Sequence, residues 1–260
     1  MLGYLDLTQK VGHKDYKRRV EPLQWRLYAL QQAVFQQKVP VLLVLEGWAS
    51  AGKGGVITTL AEQLDPRGMR VVAVQPARPD EDRYPWLHRF WLNVPAAGQI
   101  VIFDSSWYRR VLTERLTGLA HRGEWQAAYQ DIVDFEQTLA ASGVLVLKFW
   151  LHISRKTQRE RFQALRRNKL TRWQVDQEDL AQYRAYKRYA KLVETALART
   201  EAAHAPWTLV EATDKPHAQL KVLETLVTRL EQRVGPLPPA VAADLQQKAE
   251  AEAAQDADHA

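Results

Sequence analysis

Apolar residues along the chain switch between short continuous runs and the wider spacing of an amphipathic helix. Five runs have the length of buried strands, because parallel strands covered on both faces are apolar almost throughout. They are VPVLLVLEG (39–47), MRVVAV (69–74), QIVIFD (99–104), VLVLKFWLHI (144–153) and WTLVEA (207–212). Strands that alternate with helices predict right-handed crossovers and an α/β fold, with one five-stranded parallel sheet between helices on both faces.

Helical spacing fills the segments between these runs. The predicted helices cover 16–37, the stretch between a glycine-rich loop and the turn at 65–68, two stretches within 107–141, one long segment from about 177 to 200, and 215–233. A single domain over residues 1–234 accounts for all of these elements. A basic helix and a polar loop, together about 155–177, follow the fourth strand and form a candidate lid.

Composition places the chain among ordinary globular proteins. It contains no cysteine, so disulfides and thiolate metal sites are excluded. No apolar run approaches the roughly 20 residues of a membrane-spanning helix, and the N-terminus lacks the pattern of a signal peptide. We therefore expect a cytoplasmic protein without a membrane partner.

Charge is distributed unevenly. The chain has 36 basic and 30 acidic side chains. Residues 235–260 contain one basic and five acidic side chains, so residues 1–234 contain 35 basic and 25 acidic ones. A body with this excess of positive charge prefers polyanionic partners, such as nucleotides, nucleic acid or inorganic phosphate chains. The acidic, Ala/Pro-rich segment 235–260 is predicted to be a flexible tail outside the fold.

The stretch EGWASAGKGG has the spacing of a phosphate-binding loop. Gly47, Gly52 and Lys53 fit G-x-x-x-x-G-K between a predicted buried strand and a helix, a context that disfavours glycines kept only for tight packing. Glycines let backbone N–H groups approach phosphate oxygens, and the positive end of the following helix points at them. We predict phosphate binding by Gly47, Gly52, Lys53, Gly54 and Gly55. Most such loops carry a metal-ligating Ser or Thr where this chain has Gly54, so another side chain must hold a metal.

A carboxylate ends the third predicted strand. Asp104 closes QIVIFD, and a strand-terminal Asp next to a phosphate-binding loop is the usual neighbour of Mg²⁺. The sequence therefore predicts Asp104 as the metal ligand and as a catalytic residue beside Lys53.

The candidate lid is strongly basic. Between Arg155 and Arg172, eight side chains are basic and one, Glu160, is acidic. A solvated helix face is the simplest interpretation of any single one of them. As a group, with Arg161 and Arg166 among them, they favour a lid that closes on phosphates, because the planar arginine fork can engage two phosphate oxygens.

Taken together, the motifs resemble one known family. EGWASAGKGG, PWLHRFW, PAAGQIVIFDSSWYRRVLTERL, LVLKFWLHIS, QRERF and HAPWTLVEATDK follow one another, within residues 5–230, as they do in the polyphosphate kinase 2 family. The chain is most similar to members that phosphorylate AMP with polyphosphate.

The resemblance implies a P-loop kinase fold with a helical lid. It also implies Mg²⁺-dependent transfer of a terminal phosphoryl group between inorganic polyphosphate and a nucleotide, AMP or ADP. Family members typically associate, so we expect a homo-oligomer. Lys53 and Asp104 match the family's phosphate-binding lysine and metal-binding aspartate, and Arg110 and Arg161 match arginines that face the phosphates. The resemblance therefore implies Arg110 as a third catalytic residue beside Lys53 and Asp104.

Three positions depart from the family pattern. The pattern G-x-D-A-A-G-K-G-G has an Asp at Ala49, D-R-S-W-Y has an Arg at Ser105, and the W-K of the lid has a Lys at Gln174. Loss of such charges is expected to slow phosphoryl transfer unless a neighbour substitutes. Arg109 is a candidate neighbour, since the most similar members have a small residue there. If the departures impair catalysis, Ala49→Asp with Ser105→Arg is expected to raise activity.

Three functional hypotheses follow. The first is an active polyphosphate-dependent nucleotide phosphotransferase. The second is a degenerate member that binds nucleotide or polyphosphate in a regulatory or structural role. The third, a nucleic-acid-binding protein, is disfavoured because the motifs account for the charge and no nucleic-acid-binding module is recognised. AMP or ADP as acceptor, and either direction of transfer, are open alternatives.

Overall fold

Five parallel strands form one sheet in the order β2-β3-β1-β4-β5 in the computed structural model, which describes residues 1–237. The strands are β1 (Val41–Gly47), β2 (Met69–Ala73), β3 (Ile100–Asp104), β4 (Leu145–His152) and β5 (Trp207–Glu211). Each lies within two residues of its predicted run. The predicted α/β fold class with one five-stranded parallel sheet is confirmed, and the candidate lid stays a prediction.

Nine α-helices occur within residues 1–237. They are α1 (His13–Gln36), α2 (Lys53–Ala61), α3 (His88–Trp91), α4 (Thr113–Thr117), α5 (Arg122–Ala141), α6 (Arg155–Arg167), α7 (Gln177–Arg184), α8 (Tyr186–Arg199) and α9 (Lys215–Val234). The short α3 lies in a segment for which the apolar pattern predicts no helix.

The prediction of one helix from about 177 to 200 is wrong. The backbone leaves the helical conformation at Ala185, with φ −96° and ψ 24°, and separates α7 from α8. Alanine favours helix, so the break arises from tertiary contacts rather than from propensity. The ring of Tyr186 stacks on Trp48, with centroids 4.1 Å apart, and its hydroxyl donates to the carbonyl oxygen of Ile153.

The centre of the sheet is the core of the protein. Every residue of β1 is buried, as are all residues of β4 after Leu145, whereas the edge strand β2 is half-buried or exposed. Helix α1 packs against α9, and α5 contacts β4. Burial of the central strands explains their unbroken apolar sequence.

Strand order brings the candidate site residues to one edge of the sheet. Strand β1 lies between β3 and β4, with Leu45 opposite Asp104 and Gly47 opposite Leu151. At the carboxyl end of β1 the strand order reverses, so the connections to the strands on its two sides run in opposite directions. Open parallel sheets bind their ligands at such a point. The loop after β1 and the carboxylate at the end of β3 therefore adjoin.

The predicted domain boundary falls just after α9. The side chain of Leu237 still packs against the core. All of the predicted tail 235–260 except its first three residues lies outside the described residues. Within residues 1–237, no helix is long and apolar enough to cross a bilayer.

Candidate active site

The loop between β1 and α2, residues Gly47–Lys53, is called the phosphate loop below. A Cβ at Gly47 would lie 2.7 Å from the carbonyl oxygen of Leu151, so only glycine fits beside β4. Gly52 has φ 107° in the left-handed region that favours glycine. Helix α2 starts at Lys53 immediately after it. The loop thus has the tight backbone that directs N–H groups and a helix N-terminus at an anion.

Lys53 and Asp104 meet at the mouth of the phosphate loop. Nζ of Lys53 lies 3.9 Å from Oδ1 of Asp104, and the two side chains are 18% and 31% exposed. Both groups are therefore accessible to a ligand while still close enough to interact. The structure brings together two of the three residues that the sequence predicts as catalytic, and the catalytic role of the third, Arg110, stays a prediction.

The donor set near the loop suits a metal that arrives with phosphate. Within residues 1–237, no three His, Asp or Glu side chains converge as a metal cage. Mg²⁺ in phosphoryl-transfer sites is held by one or two carboxylates together with substrate phosphates, so a partly exposed Asp104 fits this ion. The predicted metal role of Asp104 stays a prediction.

Arg161 of α6 supports the phosphate loop from behind. Its Nη1 donates to the carbonyl oxygens of Ser50 and Ala51 at 2.8 and 2.9 Å, and its Nη2 donates to those of Ala212 and Thr213 at 2.8 and 3.0 Å. Ser50 has a left-handed φ of 61°, and these bonds hold that conformation. The predicted contact of Arg161 with phosphate stays a prediction, because here both terminal nitrogens bind backbone.

Two buried glutamines fix the middle of the loop. Oε1 of Gln182 accepts from the N–H of Ala49 at 2.7 Å and from Nε2 of Gln158 at 2.9 Å. Nε2 of Gln158 also reaches the carbonyl oxygen of Ala49 at 3.3 Å. Helices α6 and α7 therefore hold both the N–H and the carbonyl oxygen of Ala49, one of the three positions that depart from the family pattern.

Trp48 anchors the start of the loop in the core. Its side chain is fully buried, and its Nε1 donates to Nδ1 of His152 at 3.0 Å. Burial lowers the pKa of His152 to about 4, so the ring is neutral near pH 7 and accepts this bond. The loop tryptophan is a packing residue, held between β4 and Tyr186 of α8.

The turn Trp107–Arg110 after β3 has one side in the core. Nε1 of Trp107 and the hydroxyl of Tyr108 both donate to Oε1 of Glu136, at 3.0 and 2.9 Å. Oε2 of Glu136 lies 2.7 Å from Nζ of Lys148, and both side chains are almost completely buried. Lys148 also donates to the carbonyl oxygen of Thr200 at 2.8 Å. Burial raises the pKa of Glu136, and the adjacent ammonium opposes this effect.

The other side of the turn carries two arginines. Nη2 of Arg109 lies 2.9 Å from both carboxylate oxygens of Glu178 on α7. Arg110 pairs with Glu114 and Glu124, each at 3.2 Å. Nε of both arginines is buried and has no hydrogen-bond partner among the described residues. Buried donors without a protein partner are uncommon in folded proteins.

Two cavities adjoin this arginine side. One of about 70 Å³ is bounded by the phosphate loop, the segment after β3, and α7. Its lining includes Ala49, Lys53, Ser105, Arg109, Glu178 and Asp179. The second, of about 480 Å³, is lined by residues that include Trp86, Arg89, Arg109, Arg110, Glu114 and Glu124. Arg109 lines both cavities and therefore lies between them.

Glu46 adds a buried acid beside the smaller cavity. It is 5% exposed at the end of β1, and Oγ of Ser106 donates to its Oε1 at 2.8 Å. Burial raises its pKa, while the nearby charges of Lys53 and Arg109 lower it. The motifs predict no role for Glu46, although an acid within the apolar run VLLVLEG marks this position.

The remaining predicted residues lie at the periphery. Arg166 is exposed in the last turn of α6, and Gln174 is exposed in the following turn. A Cβ at Gly54 would meet nothing within 4 Å, so the missing hydroxyl residue is not excluded by packing. Gly55 lies in the first turn of α2 with Gly54.

Sequence reasoning missed the acidic face of α7. Asp176 and Asp179 form a reciprocal capping box that starts this helix, a pattern readable from the sequence. Glu178 and Gln182 follow at a spacing of four, which places them on one helix face. That face meets the phosphate loop and the turn after β3.

A phosphate loop after the central strand, a strand-terminal Asp and this strand order define a P-loop kinase-like protein. The family model described as Polyphosphate kinase 2 (PPK2) matches residues 10–236, and the chain belongs to this family. The resemblance predicted from the motifs is thus confirmed.

Similar proteins carry two kinds of name. Polyphosphate:AMP phosphotransferase of Pseudomonas syringae pv. tomato is 39% identical over 231 residues, which are 89% of this chain and 46% of that protein. ADP-polyphosphate phosphotransferase of Pseudomonas aeruginosa is 36% identical over 90% of this chain and 77% of its own length. Polyphosphate Kinase 2 from Arthrobacter aurescens TC1, a crystal structure, matches with a TM-score of 0.84 and 30% identity over 89% of this chain and 85% of that chain. The chain spans about half the length of the polyphosphate:AMP relatives it matches.

Proposed function

We propose that this chain transfers a terminal phosphoryl group between inorganic polyphosphate and AMP or ADP, in a Mg²⁺-dependent reaction. The observation that carries the proposal is the placement of Lys53 3.9 Å from Asp104 at the mouth of the phosphate loop. Phosphoryl transfer depends on positioned charge far more than on covalent chemistry. A cation for phosphate oxygens and a carboxylate for a metal are the groups it needs.

The larger cavity supports a nucleotide as one substrate. Its volume of about 480 Å³ lies within the roughly 300–1,000 Å³ of ordinary ligand pockets. Trp86 offers an aromatic surface, and the guanidinium of Arg110 lies 5.7 Å from the centre of its ring. We assign the base or ribose to this aromatic wall and the nucleotide phosphate to Arg110.

The basic residues of 155–172 support polyphosphate as the other substrate. They are mostly exposed on α6 and the segment after it, where a long anion can lie along them. The names of relatives support the same pair of substrates, one naming AMP and another ADP.

The proposed reaction needs no proton transfer through the protein. An oxygen of the nucleotide phosphate forms a P–O bond to the terminal phosphorus, and the bond from that phosphorus to the bridging oxygen breaks. The shortened polyphosphate keeps the electron pair. Lys53 and the loop N–H groups hold the oxygens of the moving group, and Arg110 orients the acceptor phosphate. Mg²⁺, when held by Asp104, adds positive charge that neutralises phosphate oxygens.

The test is a phosphotransfer assay with polyphosphate, Mg²⁺ and either AMP or ADP. Lys53→Ala is expected to lower the rate by at least about 10³-fold, because it removes the cation nearest the transferred group. Lys14→Ala, at an exposed position on α1, is the matched control and should leave the rate unchanged. Equal rates in wild type and Lys53→Ala would overturn the proposal.

A second candidate is a member that binds without transfer. It is favoured by Ala49 and Ser105, which leave the phosphate loop and the end of β3 without the charges of the family pattern. Calorimetry with polyphosphate and nucleotide separates the two, since binding without turnover supports this candidate. The predicted homo-oligomer and cytoplasmic location stay predictions.

A further inference from the structure

The departures at Ala49 and Ser105 share one cavity with an ion pair. Both small residues line the cavity of about 70 Å³, and Arg109 and Glu178 line it as well. Its volume is well below the roughly 300 Å³ of the smallest ordinary ligand pockets, so it suits a single chemical group rather than a nucleotide. Two small side chains leave the space, and a guanidinium and a carboxylate reach into it.

The guanidinium of Arg109 is placed for a further contact. Only its Nη2 is engaged, at 2.9 Å from each oxygen of Glu178, and its Nε is buried without a partner among the described residues. Its side chain is 12% exposed, and it lines the larger cavity as well as the smaller one. Lys53 lines the smaller cavity with it. An anion between the cavities would lie against the charged end of Arg109 and close to Lys53.

Helix α7 holds this arginine in place. The capping box of Asp176 and Asp179 fixes the start of the helix. Glu178 then binds Arg109, while Gln182, one turn later, accepts from the N–H of Ala49 at 2.7 Å. One helix face therefore ties the turn after β3 to the phosphate loop.

We propose that Arg109 is a catalytic residue that contacts the phosphoryl group as it passes between the two cavities, and that Glu178 is its positioning residue. This inference rests on the proposed function. As the new P–O bond forms and the bond to the bridging oxygen breaks, charge spreads over the oxygens of the moving group, and Arg109 stabilises it. The pair supplies, from positions 109 and 178, the guanidinium and carboxylate absent from positions 105 and 49.

The test compares Arg109→Ala, Arg109→Lys and Glu178→Gln in the phosphotransfer assay. Arg109→Ala is expected to lower kcat by about 10³-fold, the usual effect of a phosphate-facing arginine, and Arg109→Lys to recover part of it. Glu178→Gln is expected to lower kcat by up to about 10²-fold, because a displacement of about 1 Å is enough to misplace the guanidinium, while KM for polyphosphate stays near the wild-type value. Arg26→Ala and Glu231→Gln, which break an ion pair between α1 and α9, are the matched controls.

A charge-reversed pair separates catalysis from structure. Arg109→Glu with Glu178→Arg retains an ion pair between α7 and the turn, so the midpoint of urea denaturation should return toward wild type. Activity should stay low, because the cation has moved away from the position between the cavities. Restored activity together with restored stability would show a structural pair and overturn the proposal, as would a wild-type kcat in Arg109→Ala.

Failure of the proposed function gives a different result. If wild type transfers nothing, calorimetry with tripolyphosphate replaces the assay. Binding at least 10-fold weaker in Arg109→Ala, but not in Arg26→Ala, would retain Arg109 as a phosphate contact. Equal binding in wild type and Arg109→Ala would overturn this inference as well.

Discussion

The two sides of the turn Trp107–Arg110 differ in how completely their buried polar groups are hydrogen-bonded. On the core side, Lys148 has three oxygen partners: the hydroxyl of Tyr108, a carboxylate oxygen of Glu136 and the carbonyl of Thr200. On the cavity side, Arg109 and Arg110 each keep a buried Nε without a partner among the described residues. Within these four consecutive residues, a fully hydrogen-bonded network on the core side thus adjoins two incompletely hydrogen-bonded arginines on the cavity side.

The difference separates scaffold from site. Buried charges are tolerated when hydrogen bonds and an opposite charge surround them, and such a network stabilises one arrangement of the chain. A buried donor without a partner costs stability instead. The core network therefore fixes the turn, and the turn presents its arginines to the cavities.

The largest expected effect tests the core side. Lys148→Met keeps the length of the side chain but leaves Glu136 buried without its opposite charge. We expect the free energy of unfolding to fall by about 3–5 kcal/mol, as for other broken buried pairs. Urea denaturation followed by circular dichroism measures it.

The companion variant Lys148→Met/Glu136→Gln removes the uncompensated charge. It is expected to recover part of the lost stability, because a neutral amide is less costly to bury than a carboxylate. A loss below about 1 kcal/mol in Lys148→Met, within the range of an exposed ion pair, would mean that the core network is not what holds the turn.

The second prediction concerns His152, the core-side acceptor for Trp48. Its pKa is lowered to about 4 in the folded protein, against about 6.5 for an unperturbed histidine. The unfolded chain therefore binds more protons between these values, and the free energy of unfolding falls as pH decreases from 6.5 to 4. At pH 5 this group alone is expected to cost about 2 kcal/mol relative to pH 8.

His152→Asn provides the control. Its side-chain oxygen can accept from Nε1 of Trp48, and it does not titrate. The difference in unfolding free energy between pH 8 and pH 5 is expected to be smaller in the variant by the amount given for His152. The same pH dependence in both proteins would show that the histidine is not the group responsible.

Apolar patterning was sufficient to predict the sheet but not every helix boundary. Buried parallel strands such as β1 leave an uninterrupted apolar run, whereas the break at Ala185 depends on contacts of Tyr186 with residues far away in the sequence. Lys53 and Asp104 were predictable because neighbouring parallel strands end at the same edge of the sheet.

The sequence could not rank the charged residues of the candidate lid and its surroundings. Eight basic residues between 155 and 172 look alike in the sequence, yet Arg161 is bound to four backbone carbonyls. Glu178 gains its partner only when α7 docks on the turn after β3. Such pairings arise from tertiary packing, which spacing along the chain does not encode.

The smallest expected effect tests the cavity side by adding the family's charges. Ala49→Asp with Ser105→Arg is expected to raise activity if the cavity lacks charge, but the cavity already contains Arg109 and Glu178. A further carboxylate there would face Glu178 and a further guanidinium would face Arg109. We therefore expect the double variant to be about 10-fold slower, equivalent to about 1.4 kcal/mol in the barrier.

Introducing Ala49→Asp and Ser105→Arg into a protein without the Arg109–Glu178 pair distinguishes a gain from a loss of activity. In Arg109→Ala/Glu178→Gln, the same two changes supply the missing charges and should raise kcat above that of the background. Ala49→Asn with Ser105→Gln adds similar volume without charge and serves as the control in both backgrounds. A faster enzyme in the wild-type background would mean that Arg109 and Glu178 do not replace the family's pair. The cavity would then lack the charges that Ala49→Asp and Ser105→Arg add.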